Sequence, residues 1–262
     1  MKKILILCFC LVCIFMKAQL NIEANPETPP LNIGGKPQLE QILKNQMYIA
    51  KPYIETPDKE VSIYFTVNKV GKVSDAFFKE EFSNFYRDET KRLLRYFLFE
   101  PAKKSNHTVD AYGSLTILYS GSKYKSYLKE RNKYKLKLED KVQDTSFTIY
   151  EIADKSPEFY KGDDALPEFI LNTIEYPNVA KTQNIEGTVT LTFIVEANGY
   201  ASNMKALKTV GGGCTDEAIR VASLIRWKPA EKDGKYVRYK MNYPITFSLK
   251  NVNKDASNST GQ

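Results

Sequence analysis

YPNVAKTQNIEGTVTLTFIVEANG, from Tyr176 to Gly199, and RWKPAEKDGKYVRYKMNYPITFSL, from Arg226 to Leu249, decide how this chain folds. In the first stretch Val189, Leu191, Phe193 and Val195 alternate with Thr188, Thr190, Thr192 and Ile194. A period of two with one apolar face is a half-buried β-strand. Asn198-Gly199 follows; both residues tolerate positive φ, so a tight hairpin is expected, with a return strand over about Ala201 to Thr209. Upstream, Leu166, Phe169, Ile170 and Ile174 are spaced as one face of a helix that Pro177 limits. Gly211 to Gly213 let the chain swing into a second helix. Thr215 is its expected N-cap, Asp216 and Glu217 lie in its first turn, and Ile219, Ala222, Leu224 and Ile225 form its buried stripe. Trp227 and Pro229 end that helix. Asp233-Gly234 turns the chain into a last strand over Lys235 to Leu249.

The reading repeats when the chain is shifted back by 128 positions. Val189, Phe193 and Val195 fall on Val61, Phe65 and Val67; Gly199 falls on Gly71; Asp216-Glu217 fall on Asp88-Glu89; Arg220 falls on Arg92; Pro229-Ala230 fall on Pro101-Ala102. Matches at the turn glycine, the inward strand positions and the helix start are where a fold needs them. The expected fold class is therefore α+β: two tandem α-β-β-α-β units, each with a small antiparallel sheet packed against helices. The units are expected over residues 32–120, where the pattern is degenerate (Phe99 stands at the place of Trp227), and 156–250. Units this small bury limited core, so close contact between them is expected.

Flanking segments have other characters. Met1-Lys2-Lys3, an apolar run from Ile4 to Met16, and Lys17-Ala18-Gln19 form a positive region, a short apolar core and a small residue at a cleavage point. Thirteen apolar residues span about 20 Å as a helix, short of the roughly 30 Å hydrocarbon core. A signal peptide over 1–18 is expected, with retention as an inner-membrane anchor as the alternative. Residues 19–31 read as an extended leader with Pro26, Pro29 and Pro30. Residues 121–155 are a connector rich in lysine and tyrosine; it reads as a solvated segment whose tyrosines pack on one of the units, with an anionic surface as the alternative partner. Residues 251–262 read as a disordered tail.

Composition narrows the chemistry. The 262-residue chain carries 38 Lys and Arg against 31 Asp and Glu, a formal charge of +7. Removing Lys2, Lys3 and Lys17 with the signal leaves 35 against 31. This is mildly basic, and nucleic acid is not an expected partner of an exported chain. Cys8, Cys10 and Cys13 lie in the signal, so Cys214 alone remains and no internal disulfide forms. The single histidine, His107, sits in a polar turn, and no catalytic constellation accompanies it. The Gly211-Gly212-Gly213 run lacks the spacing of a phosphate loop. No enzyme activity, metal or cofactor is expected.

The ordered set Tyr176-Pro177, Ala180, Gly187, Val189, Phe193, Val195, Asn198-Gly199, Asp216-Glu217-Ala218, Trp227, Pro229-Ala230 and Pro244-Ile245-Thr246-Phe247 resembles the C-terminal domain of the TonB family. SPEFYKGDDALPEFI, from Ser156 to Ile170, resembles the lead-in of the Bacteroidetes branch of that family. The resemblance implies a periplasmic protein-binding module that engages the N-terminal box of an outer-membrane TonB-dependent transporter. The last strand, as an exposed edge, would offer the unpaired backbone groups of Lys240, Met241, Asn242, Tyr243, Ile245 and Thr246 to that extended peptide. The resemblance also implies that the loop Lys181, Thr182, Gln183 and Asn184 lies near it. Proton-driven motor subunits enter as partners only if the N-terminus is uncleaved, and the sequence leaves a homodimer open. A non-energised periplasmic scaffold or envelope-assembly protein is the alternative reading of the same fold.

Overall fold

The computed structural model describes residues 22–133 and 136–250. The expected signal at 1–18 and tail at 251–262 lie outside the described residues. In the first half, α1 (Gly35–Gln46) leads to β1 (Lys59–Val67), β2 (Val73–Phe77), α2 (Asn84–Leu94) and β3 (Ala111–Tyr119), and α3 (Gly121–Lys133) follows. The second half runs α4 (Leu166–Thr173), α5 (Asn178–Thr182), β4 (Gly187–Val195), β5 (Ala201–Lys208), α6 (Cys214–Leu224) and β6 (Lys235–Phe247). The first half has a three-stranded sheet in the order β2-β1-β3; the second has β5-β4-β6, extended to five strands by Ala230–Lys232 and Ile149–Tyr150, which both pair with β6, and the pairs among the six numbered strands are all antiparallel. β1 pairs with β3 from Lys59↔Tyr119 to Val67↔Ala111, and β4 with β6 from Gly187↔Phe247 to Val195↔Tyr239.

Alternation decides which face of each sheet is covered. Val189, Leu191, Phe193 and Val195 are buried beneath the helices together with Ile245 and Phe247 of β6. Val61, Ile63, Phe65 and Val67 do the same in the first half with Leu115 and Ile117. Trp227, fully buried, lies with its ring centroid 5.9 Å from that of Phe193; Phe99 lies 4.9 Å from Phe65. The smaller ring fills the same place in the first core.

Several local expectations are corrected. The β4–β5 hairpin is not a two-residue turn with two positive φ angles. Gly199 alone has positive φ (79°), its N–H donates to the Glu196 carbonyl (2.8 Å), and Glu196 N–H donates to Tyr200 (2.8 Å). That is a type I turn closed by a glycine bulge, and Asn68 to Lys72 repeats it with Gly71 at φ 83°. A Cβ on Gly199 would lie 2.1 Å from the Trp227 carbonyl oxygen, and one on Gly71 2.2 Å from that of Phe99, so both turns also need glycine for close approach. Pro177 does not merely limit the helix before it: α4 stops at Thr173, and Pro177 caps the separate short helix α5. Thr215 is not the N-cap of α6. Gly213, at φ 90°, holds that position, and the Thr215 hydroxyl turns back to accept Val210 N–H (3.0 Å) and donate to Val210 O (2.8 Å).

The segments before each unit are paired to the sheets. Glu23 bridges Ala111 in parallel and Thr28 bridges Lys103, while Leu31–Asn32 pairs with Phe99–Glu100. In the second half Ile149–Tyr150 pairs in parallel with Arg238–Tyr239, Lys155 bridges Glu231, and Glu158–Phe159 pairs with Trp227–Lys228. Of the connector tyrosines, Tyr124 is buried in the first core and Tyr127 packs against it, both carried by α3.

The halves meet through α1 and the edge of β5. The Gln38 side chain accepts Met204 N–H (3.2 Å); Asn203 donates to Tyr96 O (2.8 Å) and accepts Leu98 N–H (2.9 Å); Gln46 and Asn198 exchange amide hydrogen bonds. At the centre Arg238 (4 % exposed) is paired with Glu196 (1 %) at 2.7 Å and also donates to the carbonyls of Arg95 and Phe147. Gln38, Gln46, Asn198, Asn203 and Arg238 thus place hydrogen bonds across the boundary, while Glu196 is satisfied within the second half by Arg238 and Ser202.

Candidate interaction edge

β6 has β4 on one side, and its other side is the candidate site. The direction of its backbone groups follows from one residue. Tyr236 N–H donates to Val142 O (3.0 Å) and Tyr236 O accepts Asp144 N–H (2.8 Å), both in the connector. Backbone groups alternate sides along a strand, and the β4–β6 register has no shift. Lys240, Asn242, Pro244 and Thr246 therefore face outward with Tyr236, while Met241, Tyr243 and Ile245 face β4. Pro244 fits this parity, because a missing N–H there removes no bond to β4.

The connector covers only the start of this edge, at Tyr236 and at Arg238–Tyr239. The parallel pairing at Tyr239↔Tyr150 also engages the outward Lys240 N–H, and from Met241 to Phe247 no strand among the described residues pairs with the outer side. Lys240, Asn242 and Thr246 are exposed, and Met241 and Tyr243 are half-buried. Ile245 is fully buried beneath the sheet. Of the first three, Asn242 and Thr246 thus carry free outward donors, the Lys240 N–H being engaged by the Ile149–Tyr150 pairing. The other three hold the strand against β4 and the core. Lys240 Nζ lies 2.8 Å from Glu151, an exposed ion pair of the kind worth at most about 1 kcal/mol, so an arriving ligand displaces it at little cost.

The loop after α5 divides. Lys181 and Thr246 border one groove of about 860 Å³, also walled by Leu171, Ile174, Pro177 and Arg220. Thr182, Gln183 and Asn184 do not border it; they terminate α5. The Thr182 hydroxyl is 3.1 Å from the carbonyls of Asn178 and Val179, Gln183 N–H donates to Val179 O, and Asn184 takes φ 52°. Asparagine tolerates that left-handed position at a helix end. The other wall is held by a clip. The buried Glu217 carboxylate accepts Glu175 N–H (2.6 Å) and the Arg220 guanidinium (2.7 Å), and Arg220 donates to Thr173 O (2.7 Å). The carboxylate raises the Arg220 pKa further and keeps it charged. Glu89, Arg92, Tyr48 N–H and Gln46 O repeat the clip in the first half. Sequence reading placed Glu217 as a dipole partner only; the recurrence of Glu-x-x-Arg at the 128-residue shift was the available signal for the clip.

Cys214 is buried at the first position of α6, and burial pushes its thiol pKa up, so it is not a poised thiolate. His107 lies exposed on the turn joining Ala102–Lys104 to His107–Val109, bonded to Ser105 O. Among the described residues no group of three His, Cys, Asp or Glu side chains is arranged to hold a metal. No helix there is long and apolar enough to cross a membrane.

Residues 172–249 match the family model of the Gram-negative bacterial TonB protein C-terminal. The matched segment begins in α4 and ends just after β6, so it contains the open edge and the groove except for its Ile170 and Leu171 wall. Two solution structures of the Helicobacter pylori TonB C-terminal domain are similar to this chain. One shares 25% identity over 33% of this chain and 92% of its own, with a TM-score of 0.26; a longer form shares 22% over 32% and 79%, with a TM-score of 0.23. No curated protein matches the chain. The family match implies a protein-interaction role of the TonB type for the segment 172–249.

Proposed function

We propose that the chain is a periplasmic protein-binding module of TonB-linked outer-membrane transport, and that it takes an extended transporter peptide as an added strand along β6. The observation that carries this reading is the open outer side of β6 beyond Lys240, with the backbone groups of Asn242 and Thr246 turned outward inside the segment that matches the TonB C-terminal model. An incoming strand there gains main-chain hydrogen bonds, and its alternate side chains meet Lys240, Asn242 and Thr246 on one face. Lys181 stands where the end of such a peptide passes Thr246 into the groove.

Export through a cleaved signal at 1–18 belongs to the same reading. So does a degenerate first copy of the domain at 32–120, joined by the connector 121–155 to the copy at 156–250. Three correspondences support the duplication: the same antiparallel order of the three main strands in each half, the paired glycine bulges at Gly71 and Gly199, and the two Glu–Arg clips.

Proline substitution tests the strand-addition reading. Thr246→Pro removes an outward donor and leaves every β4–β6 backbone bond, losing across that pair only the Thr188–Thr246 hydroxyl contact that Thr246→Ala loses as well, so it should abolish capture of peptides from transporter N-terminal boxes while the chain stays folded. Thr246→Ala should retain most binding. Equal losses from the two would move recognition to side chains, and undiminished binding in both would move the site elsewhere.

A further inference from the structure

β3, the counterpart of β6 in the first half, is also open on its outer side. Its parity is set by the leader: Asp110 O accepts Glu23 N–H (2.7 Å) on the side away from β1. The β1–β3 register has no shift, so the backbone groups of Ser114, Thr116 and Leu118 face outward as well. Among the described residues none of them has a backbone partner on that side. Thr116 stands 128 positions before Pro244 and keeps the N–H that Pro244 lacks. This edge therefore offers an uninterrupted set of donors.

The sheet face beside this edge differs from that beside β6. Phe77 stacks on Tyr64 with centroids 5.7 Å apart, and Tyr64 sits opposite Ser114, diagonal to Tyr112. Phe77 is 44% and Tyr112 57% exposed. Lys79 Nζ lies 4.1 Å above the Tyr64 ring, and the Ser62 and Thr116 hydroxyls are bonded across the strands at 2.7 Å. An aromatic row thus crosses the sheet and stops at Tyr112, on the open edge. In the second half the facing pairs are Thr192 with Asn242 and Ile194 with Lys240. Aromatic and β-branched cross-strand neighbours stabilise each other.

We infer that β3 is a second strand-docking edge, and that its ligand is an extended peptide presenting aromatic and β-branched side chains on the face shared with Tyr112. The inference uses the same strand-addition chemistry as the reading of β6, but it stands on separate residues. One chain then holds two extended segments of different side-chain character.

The test uses the full chain and a capped synthetic peptide alternating Tyr and Thr, with a Glu and Thr alternation as comparison. Amide hydrogen exchange of the unmodified chain should slow at Ser114, Thr116 and Leu118 with the Tyr and Thr peptide only. Anisotropy of the labelled peptide should show that Tyr112→Ala weakens binding on the order of three- to fivefold, the size of one cross-strand pair. Thr116→Pro should abolish binding, and Thr116→Ala should keep it. Unchanged exchange along β3 at saturating peptide would overturn the inference whether or not Thr116→Pro folds. So would equal slowing by both peptides, which would remove the claimed ligand character. Transporter peptide is scored separately at Asn242 and Thr246, so each edge stands or falls alone.

Discussion

Arg238→Met should separate two halves that otherwise unfold as one. Arg238 and Glu196 are 4% and 1% exposed, so solvent does not screen their attraction. The guanidinium makes two charged hydrogen bonds to Glu196 (2.7 and 2.9 Å) and reaches the carbonyls of Arg95 (3.2 Å) and Phe147 (3.3 Å), which belong to the first half and the connector. Methionine fills part of the volume but leaves the Glu196 carboxylate buried with only the Ser202 hydroxyl as a donor. Removing one partner of such a pair costs about 3–5 kcal/mol, a large share of the roughly 5–15 kcal/mol that holds a domain folded. For a chain of this size that lowers Tm by about 10 °C. Replacing both members by apolar residues is often nearly neutral, so Arg238→Met with Glu196→Leu should recover most of the loss.

Trp227 is the single tryptophan and lies in the second core, so its fluorescence follows that half while far-UV circular dichroism follows both. In urea the two signals should coincide for the unmodified chain and split for Arg238→Met. A loss below about 1 kcal/mol, or non-coincident signals in the unmodified chain, would refute the claim that Arg238, held by Glu196 of its own half, latches that half to the first through the Arg95 carbonyl.

Trp227→Ala should lower the stability of the second half by about 3–5 kcal/mol, read in the same urea titration by circular dichroism. Gly199→Ala and Gly71→Ala should each cost at least about 1–3 kcal/mol, since both positions combine positive φ with a carbonyl within 2.2 Å of the added carbon; equal stability of either variant would contradict the bulge assignment. Cys214 should resist thiol reagents at neutral pH until the second half unfolds, because burial both hides the sulfur and raises its pKa; rapid labelling of the folded chain would show an open cap.

The strands and their burial were legible because they depend on alternation. Val189 to Val195 and Val61 to Val67 place their apolar residues with a period of two, and the structure buries that set. Pro244 marks one position of β6 without a donor, which makes pairing there edge-like or interrupted, but the parity of the strand follows only from the Tyr236 bonds and the β4–β6 register. What the sequence did not reveal depends on distant backbone. Asn198-Gly199 favours a tight turn locally, yet the approach of the Trp227 carbonyl selects a bulge with one left-handed residue. Thr215 has the side chain of a cap, but Gly213 already supplies the bend. The strap at Ile149–Tyr150 has no sequence signature, because a two-residue parallel pair carries no periodicity. Of the expected binding residues, alternation along β6 sorts Lys240, Asn242 and Thr246 from Met241, Tyr243 and Ile245, whose neighbours in sequence look equally suited.

Residue-resolved amide exchange of the full chain, with and without a transporter N-terminal box peptide, tests the strand-addition account most directly. The account predicts added protection at Asn242 and Thr246, the free outward donors of β6, with little change at Lys240, whose N–H the Ile149–Tyr150 pairing already engages, or at Met241, Tyr243 and Ile245, whose N–H groups already face β4. Protection confined to α4–α6, or spread evenly over both sets, would contradict it.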